Sequence, residues 1–484
     1  MTFSNTDLIR ILPELILCFG GVVVMVLEPF LPRHKKPLLM PLALFSMILA
    51  LASVPWQSSA PGTGFNSMIV VDGFSAFLHL LVLLIGILTA LISSAYLQRE
   101  GETHGEYYAL LLFGTAGMGI MAGANELVTV FLGLEISSLA TYILAGFRRG
   151  ALKSNESALK YFLLGSFAVG FLLYGIALLY GGTGTTVLPE IRAVLERGAE
   201  NRTFVWLGAG MLMVGLGFKV AAAPFQVWTP DVYEGAPTPI TAFLSAGPKA
   251  AAFAVFLRVF HTALWPGNER WFWVIWVMAV LTMFVGNLAA LVQGNIKRML
   301  AYSSIAHAGY ILIAFAARSE IGLAAALFYL VAYAMMKLGA FTIVSHLGGQ
   351  GEKHVEIEEY AGLGTRQPLL AACLTLYLLS LIGLPLTAGF LGKFYIFQAA
   401  LRADLVWLVV LGVVNSAISV YYYLRVVVVM YMKEPTEELQ PAALPHSVSF
   451  VLALTTLAVL GLGIFPGGIV SLASVASRSI LPVR

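Results

Sequence analysis

The chain alternates between long apolar segments and short polar connections. A helix that spans a bilayer needs about 20 apolar residues, and each apolar segment here is hydrophobic around most of its circumference, as bundle helices in lipid are. We therefore predict an all-α polytopic membrane protein with about fourteen transmembrane helices. The predicted spans lie near 8–30, 37–55, 70–97, 107–123, 126–147, 157–180, 204–229, 240–262, 272–293, 299–317, 321–346, 369–398, 404–431 and 448–475.

Composition indicates the same class of protein. Hydrophobic residues make up 59% of the 484 residues and charged residues 11%, whereas a soluble domain carries about 25% charged residues. The formal net charge is +3, and no basic run interleaves with aromatic residues, so we expect no nucleic-acid binding. The first apolar segment follows Asp7 and lacks a basic start, which predicts a retained span and not a cleaved signal peptide.

The common sequence patterns for nucleotides, metals and redox centres are missing. Cys18 and Cys373 lie far apart in apolar segments, so they form neither a zinc motif nor an iron–sulfur motif. Gly392 and Lys393 are followed by Phe394 instead of Ser or Thr, which excludes a P-loop. We expect no cofactor and no metal in this chain.

Lysine and arginine in the connections predict the orientation of the spans. Thirteen of these residues lie in one set of connections and nine in the other, and the more basic side is usually cytoplasmic. An even number of spans places both termini on one side. We therefore predict that both termini face the outside.

Two predicted spans look broken at a proline, Pro224 in 204–229 and Pro385 in 369–398. Proline removes a helix hydrogen bond and kinks or opens the helix, and a break inside a bilayer is tolerated only where protein or water covers the free backbone groups. Transporters use such half-helices to build ion sites. The structural alternative is a packed proline kink.

The positions of the breaks predict an internal repeat. Spans four to eight carry a broken helix at their fourth position, and so do spans nine to thirteen. Because five is an odd number, the second unit would insert upside down, which is the inverted-repeat plan of many transporters. The predicted units are an N-terminal three-helix segment, two inverted repeats and a C-terminal helix, with boundaries 1–106, 107–262, 263–431 and 432–484.

Five ionisable residues lie well inside predicted spans: Glu135, Lys219, Lys249, Lys337 and Lys393. An ionised group there costs at least about 2.5 kcal/mol unless it is paired or hydrated, and such groups often mark proton or ion pathways. We expect Glu135 and Lys219 to form a proton switch, because desolvation and charge attraction oppose each other in such a pair. The structural alternatives are a cation neutralised by a helix C-terminus or a loop carboxylate, and a glutamate bonded to a nearby hydroxyl.

His307 lies in AYSSIAHAGYIL, among serine and tyrosine side chains. Its titration range suits a proton relay, and the alternative is a core histidine with satisfied hydrogen bonds. His79 and His346 lack such neighbours and are interpreted as structural. Acidic residues near span ends are expected to be solvated and to have no transfer role: Glu14, Glu28, Asp72, Glu106 and Glu126.

Four segments identify a family. ELVTVFLGLEISSLATYIL, FKVAAAPFQVWTPDVYEGAPTPITAFLSAGPKAA, KRMLAYSSIAHAGY and GLPLTAGFLGKFYIF resemble the antiporter-like membrane subunits of respiratory complex I, over residues 70–430. The resemblance is greatest to subunit N, the bacterial counterpart of mitochondrial subunit 2. The sequence stops at Arg484 without the lateral helix of the largest such subunit, and it has Lys393 where the middle-sized subunit typically has glutamate.

The resemblance implies a proton path and a set of partners. Members of that family have fourteen helices with inverted five-helix repeats. In them, a Glu–Lys pair and central lysines form a hydrated proton path. NADH, FMN, iron–sulfur clusters and quinone are then expected in partner subunits of a multi-subunit enzyme in the bacterial inner membrane. The matching positions are Glu135 and Lys219 for the pair, Lys249 for the bridging lysine, Lys393 for the distal lysine and His307 for the polar residue between the halves. These residues are expected to form one band near the middle of the membrane, and Lys337 is expected beside it.

The expected route begins on the cytoplasmic side near the connection of spans seven and eight. Asp231 and Glu234 in that connection either cap span eight or line the entrance. Water and hydroxyl groups would bridge the gaps between titratable side chains. The expected order along the route is Lys219, Lys249, His307 and Lys393.

Two other functions compete with this reading. A subunit of a cation/proton antiporter complex or of a membrane-bound hydrogenase would have the same fold. Sodium needs carboxylate or carbonyl oxygens at depth, and Glu135 is the only central carboxylate in the predicted spans, which favours protons. A scaffold without transport would not need five buried charges.

Overall fold

The computed structural model describes residues 4–435 and 443–480, and these residues are mostly helical. Twelve of the described helices are long and apolar enough to cross a membrane, by length and composition. The prediction of an all-α polytopic membrane protein is confirmed at this level. The count of fourteen spans, the inverted repeats and the unit boundaries stay predictions.

The chain begins with four helices and one small hairpin. A 3₁₀ helix follows α2 at Glu28–Phe30 and another precedes α3 at Arg33–Leu38. The helices and the two antiparallel strands are α1 Asn5–Arg10, α2 Leu12–Leu27, α3 Leu39–Ser58, β1 Gly62–Gly64, β2 Ile69–Val71 and α4 Gly73–Glu100.

Seven helices follow, and close contacts between small residues hold the first of them together. A Cβ at Gly117 would lie 2.7 Å from the carbonyl oxygen of Gly133 on the next helix, so the two backbones touch, as they do at small-residue contacts in membrane bundles. The elements are α5 Gly105–Gly123, α6 Leu127–Ala145, α7 Leu152–Thr183, α8 Leu188–Arg197, α9 Arg202–Val220, α10 Thr229–Gly235 and α11 Thr238–Arg258, which continues as a π-helix over Val259–Ala263.

The second half supplies the remaining helices, two of which form the core together with α11. The apolar stretches of α11, α13 and α14 are 94%, 94% and 83% buried, so the core lies where these three helices meet. Short 3₁₀ helices occupy Trp265–Gly267 and Ile357–Tyr360. The helices are α12 Asn268–Leu291, α13 Ile296–Ala316, α14 Glu320–Leu347, α15 Leu363–Arg366, α16 Pro368–Ile382, α17 Ala388–Arg402, α18 Val406–Met432, α19 His446–Ile464 and α20 Gly467–Arg478.

Both prolines singled out in the sequence lie where a helix is interrupted. Helix α9 ends at Val220 and α10 begins at Thr229, with Pro224 between them after a cis peptide bond. Helix α16 ends at Ile382 and α17 begins at Ala388, with Pro385 between them. That each interruption borders a water-filled cavity stays a prediction.

Three acidic residues near span ends are buried, although the sequence suggests that they are solvated. Glu14 and Glu28 are each 7% exposed and Glu126 is 6% exposed. Each has a polar partner that the linear sequence does not reveal. Their partners are His79 for Glu14 at 2.5 Å, Lys36 for Glu28 at 2.9 Å, and Thr129 and Thr186 for Glu126 at 2.8 and 2.6 Å.

Candidate functional site

Lys219 contacts the helix that carries Glu135, one turn away from the carboxylate. Its ammonium donates hydrogen bonds to Ser138 Oγ at 2.7 Å and to Tyr142 OH at 3.2 Å. Residues 135, 138 and 142 share one face of α6 because their spacings are three and four. Among the ion pairs within 4.0 Å that the described residues form, none joins Glu135 to Lys219. Glu135 Oε1 is buried and has no hydrogen-bond partner in the described part of the chain.

Aromatic rings surround the Lys219 ammonium. It lies 5.1 Å from the ring centre of Tyr142 and 5.5 Å from that of Tyr161, distances at which cation–π attraction operates. Tyr161 stacks on Trp228 at 4.6 Å. Tyr142 lies seven residues after Glu135, and this spacing is the signal by which sequence reasoning could have found it.

Lys249 joins α11 to α13. Its ammonium donates to the hydroxyl of Ser304 at 2.5 Å and to the carbonyl oxygen of the same residue at 2.7 Å. The hydroxyl of Tyr333 on α14 donates to Ser304 Oγ at 2.7 Å. Lys249 is 2% exposed, so it lies in the core and not against lipid.

His307 belongs to a hydrogen-bonded chain that reaches Lys337. Lys337 donates to Ser303 Oγ at 2.8 Å, and that hydroxyl lies 2.5 Å from the hydroxyl of Tyr423. The Tyr423 hydroxyl lies 3.2 Å from His307 Nε2, and Tyr329 OH lies 2.5 Å from His307 Nδ1. The structure therefore places Lys337 inside the polar network, where the sequence suggests a position beside it.

Tyr333 lies between the two lysines of the core. Its ring centre is 5.7 Å from the Lys249 ammonium and 5.8 Å from the Lys337 ammonium. The ring of His307 lies 5.3 Å away, centre to centre. Tyr329, Tyr333 and Lys337 are four residues apart on α14, so their helical spacing is the signal that sequence reasoning missed. Tyr423 carries no comparable signal.

Lys393 crosses the second interruption. Its ammonium donates to the carbonyl oxygens of Leu381 at 3.1 Å and Ile382 at 2.8 Å, at the end of α16, and to Ser416 Oγ at 2.9 Å. A cation is favourable at a helix C-terminus, which is the structural alternative considered for this lysine. The same ammonium lies 4.5 Å from the ring centre of Tyr310, which in turn lies 5.7 Å from the His307 ring.

The predicted residues thus form two groups. Lys249, His307, Lys337 and Lys393 lie together around α13, whereas Glu135 and Lys219 form a second group between α6 and α9. Aromatic side chains separate the two groups: Trp228 lies 4.6 Å from Tyr161 and 6.2 Å from Tyr233. The hydroxyl of Tyr233 is buried and has no hydrogen-bond partner among the described residues.

Asp231 and Glu234 on α10 form an ion-pair cluster. Asp231 accepts from Lys160 and Arg298, each at 2.7 Å, and Glu234 accepts from Arg298 at 2.9 Å and Lys153 at 3.0 Å. Burial raises the pKa of Asp231, but Lys160 and Arg298 outweigh burial and hold that pKa below its ordinary value. These side chains line a small cavity of about 190 Å³.

Neither of these acids caps the helix that carries Lys249. Glu352, from the connection after α14, accepts hydrogen bonds from the backbone N–H and the hydroxyl of Thr238 at 2.6 and 2.7 Å. Its second oxygen binds the buried Lys297 at 2.8 Å. Capping by Asp231 or Glu234 is therefore wrong, because a residue 114 positions away in the sequence occupies the start of α11.

In the described part of the chain, no cluster of three or more His, Cys, Asp or Glu side chains is arranged to hold a metal ion. The site consists of lysines, hydroxyls, one histidine and one carboxylate. These groups hold and pass protons, and they offer hydrogen bonds to water. Lysine changes its protonation state readily when it is buried, so the site suits proton transfer.

Comparison with known proteins gives the family of this chain. The family model described as "NADH:quinone oxidoreductase/Mrp antiporter, TM" matches residues 124–419. NADH-quinone oxidoreductase subunit N 1 of Solibacter usitatus is 51% identical over 479 residues, which are 99% of this chain and 99% of that protein.

Solved structures give the same relationship. A chain of respiratory complex I from Thermus thermophilus with bound aureothin is 38% identical, with a TM-score of 0.81, and the match covers 96% of this chain and 99% of that one. A chain of the Mrp complex from Dietzia sp. DQ12-45-1b is 22% identical with a TM-score of 0.85, over 97% of each chain, and this likeness shows the fold alone. The chain belongs to the NADH-quinone oxidoreductase subunit N family.

Proposed function

We propose that the chain is the proton-translocating subunit N of an NADH:quinone oxidoreductase in the bacterial inner membrane. Relatives of that name align with it over nearly its whole length. The chain is a multi-pass membrane subunit, and its partners are the other membrane subunits of the complex. NADH oxidation and quinone reduction take place in partner subunits that hold FMN and iron–sulfur clusters, and this chain provides a path for protons.

One observation carries the proposal: two neighbouring serines on α13 bind the central titratable side chains in two adjoining hydrogen-bonded groups. Ser304 accepts from Lys249 and Tyr333, and Ser303 connects Lys337 to Tyr423 and thus to His307. Hydroxyl groups donate and accept hydrogen bonds at the same time. A proton can therefore pass along such a chain, with each hydroxyl giving one proton as it receives another.

Glu135 and Lys219 act as the switch at the start of the route in this proposal. Ser138 and Tyr142 hold the Lys219 ammonium one turn away from the carboxylate. Movement of Lys219 toward the unpaired Oε1 of Glu135 favours the charged forms of both groups, and movement away favours the neutral forms. The interruption between α9 and α10 follows directly after Lys219 and supplies the freedom for this movement.

The rest of the route is proposed from the order of these groups along the bundle. Protons reach Lys219 from the ion-pair cluster around Asp231, pass the aromatic layer at Tyr233 with the help of water, and arrive at Lys249. Water then bridges the Ser304 group to the Ser303 group, from which Tyr423 leads to His307. The Tyr310 ring separates His307 from Lys393, and bound water beside this ring completes the step toward the outside.

Ion specificity in proteoliposomes tests this function. The assembled complex, reconstituted with NADH and quinone, is expected to acidify the vesicle interior at the same rate with and without sodium, and to accumulate no sodium. In the wild-type complex and in a Glu135→Gln complex of equal abundance, NADH-driven proton uptake is compared. Sodium uptake driven by NADH would favour a cation antiporter. Unchanged proton uptake in Glu135→Gln would favour a structural role for Glu135.

A further inference from the structure

Two cavities meet at the end of the bundle where α9 and α12 begin. The first, of about 520 Å³, is polar and is lined by Arg202, Glu269 and Arg270 together with tryptophan side chains. The second, of about 670 Å³, is an apolar groove that follows α9 and α12 as far as Pro224. Trp206 and Arg270 line both cavities, so the two form one continuous site with a polar mouth and an apolar groove.

The mouth holds cationic and polar donors without partners. Among the described residues, neither Arg202 nor Arg270 has a hydrogen bond or an ion pair, and the Arg270 guanidinium lies 4.7 Å from the centre of the Trp206 ring. The indole N–H of Trp206 is buried and also has no hydrogen-bond partner in the described part of the chain. Glu269 is the only acidic residue in the lining and pairs with neither arginine.

We propose that this site binds one anionic phospholipid. Guanidinium groups bind phosphate through paired hydrogen bonds, and Arg202 and Arg270 offer such donors at the level where tryptophans favour the membrane–water boundary. The Trp206 indole N–H donates to the same headgroup. One acyl chain follows the groove, where Met213, Val277 and Phe225 provide an apolar surface.

The groove ends at the first helix interruption. Pro224 and Phe225 form its inner end, and the Phe225 ring packs against Gly217, two residues before Lys219. An acyl chain in the groove therefore contacts the segment whose movement changes the surroundings of Lys219. This consequence for transport rests on the proposed function, whereas lipid binding itself does not.

Photocrosslinking of lipids tests the site in the assembled complex. Nanodiscs contain phosphatidylglycerol or phosphatidylcholine with the same photoreactive acyl chain, and mass spectrometry locates the labelled peptides. We expect phosphatidylglycerol to label α9 and α12 at least about fivefold more than phosphatidylcholine, because each basic residue near a headgroup favours anionic lipid about fivefold. The double variant Arg202→Gln/Arg270→Gln should lose this preference. Arg197→Gln, which removes an exposed charge from α8 outside both cavities, should keep it.

Three results would overturn the proposal. These are equal labelling by the two lipids, unchanged preference in the double variant, and absence of label because another subunit covers the groove. If the double variant does not assemble, Trp206→Phe and the lipid comparison in the wild-type complex decide the question. The readout is labelling and not pumping, so its failure is distinct from a failure of the proposed proton transport.

Discussion

The ammonium of Lys249 binds both oxygens of Ser304, at 2.5 and 2.7 Å. These residues lie on α11 and α13, in the two units that the sequence predicts as separate repeats. The lysine side chain therefore connects the halves directly, and the serine hydroxyl extends the connection to Tyr333.

The first prediction concerns the charge pair. Glu135→Gln and Lys219→Ala should each lower NADH-driven proton uptake by at least about tenfold, because each removes one of the two charges that set the protonation of the other. Glu135→Asp should retain more uptake than Glu135→Gln, since it keeps the charge. Uptake is measured by fluorescence quenching in membrane vesicles with matched amounts of complex. Wild-type uptake in Glu135→Gln would leave the pair with a structural role only.

The second prediction concerns the hydroxyl that links Ser303 to His307. Tyr423→Phe removes this hydroxyl and leaves the ring, so proton uptake should fall at least about fivefold, the effect of losing a buried hydrogen bond of about 1 kcal/mol. The matched control is Tyr377→Phe, a buried tyrosine on α16 whose hydroxyl lies 2.7 Å from Thr455 Oγ1 on α19. Equal uptake in the two variants would remove Tyr423 from the route. NADH-dependent quinone reduction in uncoupled vesicles checks that the complex is intact.

The third prediction concerns Glu352 and pH. Burial raises its pKa, but the charge of Lys297 and the hydrogen bonds from Lys297 and Thr238 outweigh burial, so its pKa lies below the ordinary 4.5. The ionised Glu352 therefore stabilises the folded protein fully above pH 4.5, and this stabilisation is lost as pH falls through the folded-state pKa of the carboxyl group. Glu352→Ala should destabilise the complex at pH 7 by about 3 kcal/mol, and this difference should shrink below pH 4.5.

Thermal dissociation of the purified complex between pH 3.5 and 7 measures this effect. The control is Glu106→Gln, whose carboxylate pairs at 3.4 Å with an Arg149 side chain that is 85% exposed, and surface pairs of this kind contribute only about 0–1 kcal/mol. A wild-type–variant difference for Glu352→Ala that does not change with pH would contradict the assignment.

The fourth prediction concerns the contact between α5 and α6. A Cβ at Gly117 would lie 2.6 Å from the backbone nitrogen of Ser137, so Gly117→Ala forces the two helices apart at the turn beside Glu135. We expect a loss of about 1–3 kcal/mol in stability from overpacking, seen as a lower dissociation temperature. Gly170→Ala on α7 is the matched control, because nothing lies within 4 Å of its Cβ position. Equal effects of the two substitutions would show that the close contact is not required.

The sequence predicts those features of the structure that depend on local chemistry. The apolar runs predict the helices, and Pro224 and Pro385 fall where helices end, because proline acts on its own backbone. Burial of the four lysines also follows from the surrounding apolar residues. Their hydrogen-bond partners do not, because Ser304, Ser303 and Ser416 come from other helices, and only packing brings them close.

The same limit explains the residues that the sequence misplaces. Glu14 lies near the end of its helix and looks solvated, but His79, 65 residues away, covers it. The sequence leaves two roles open for Asp231 and Glu234, a cap on α11 or the lining of an entrance, and Glu352 takes the first role by accepting from Thr238. In both cases the side chain is placed by a tertiary contact that has no local signature.

The three acceptors around Lys393 have a consequence for the second interruption. An ammonium has three N–H groups and a neutral amine has two, so the contacts with Leu381, Ile382 and Ser416 use every hydrogen of the charged form. A neutral Lys393 donates to two of these oxygens, and the third contact is kept only if the Ser416 hydroxyl turns from Ile382 and donates to the amine. Two of the three belong to the last turn of α16, whereas the lysine belongs to α17. In the proposed route, the contacts that Lys393 makes between these two half-helices therefore change each time it loses or regains a proton.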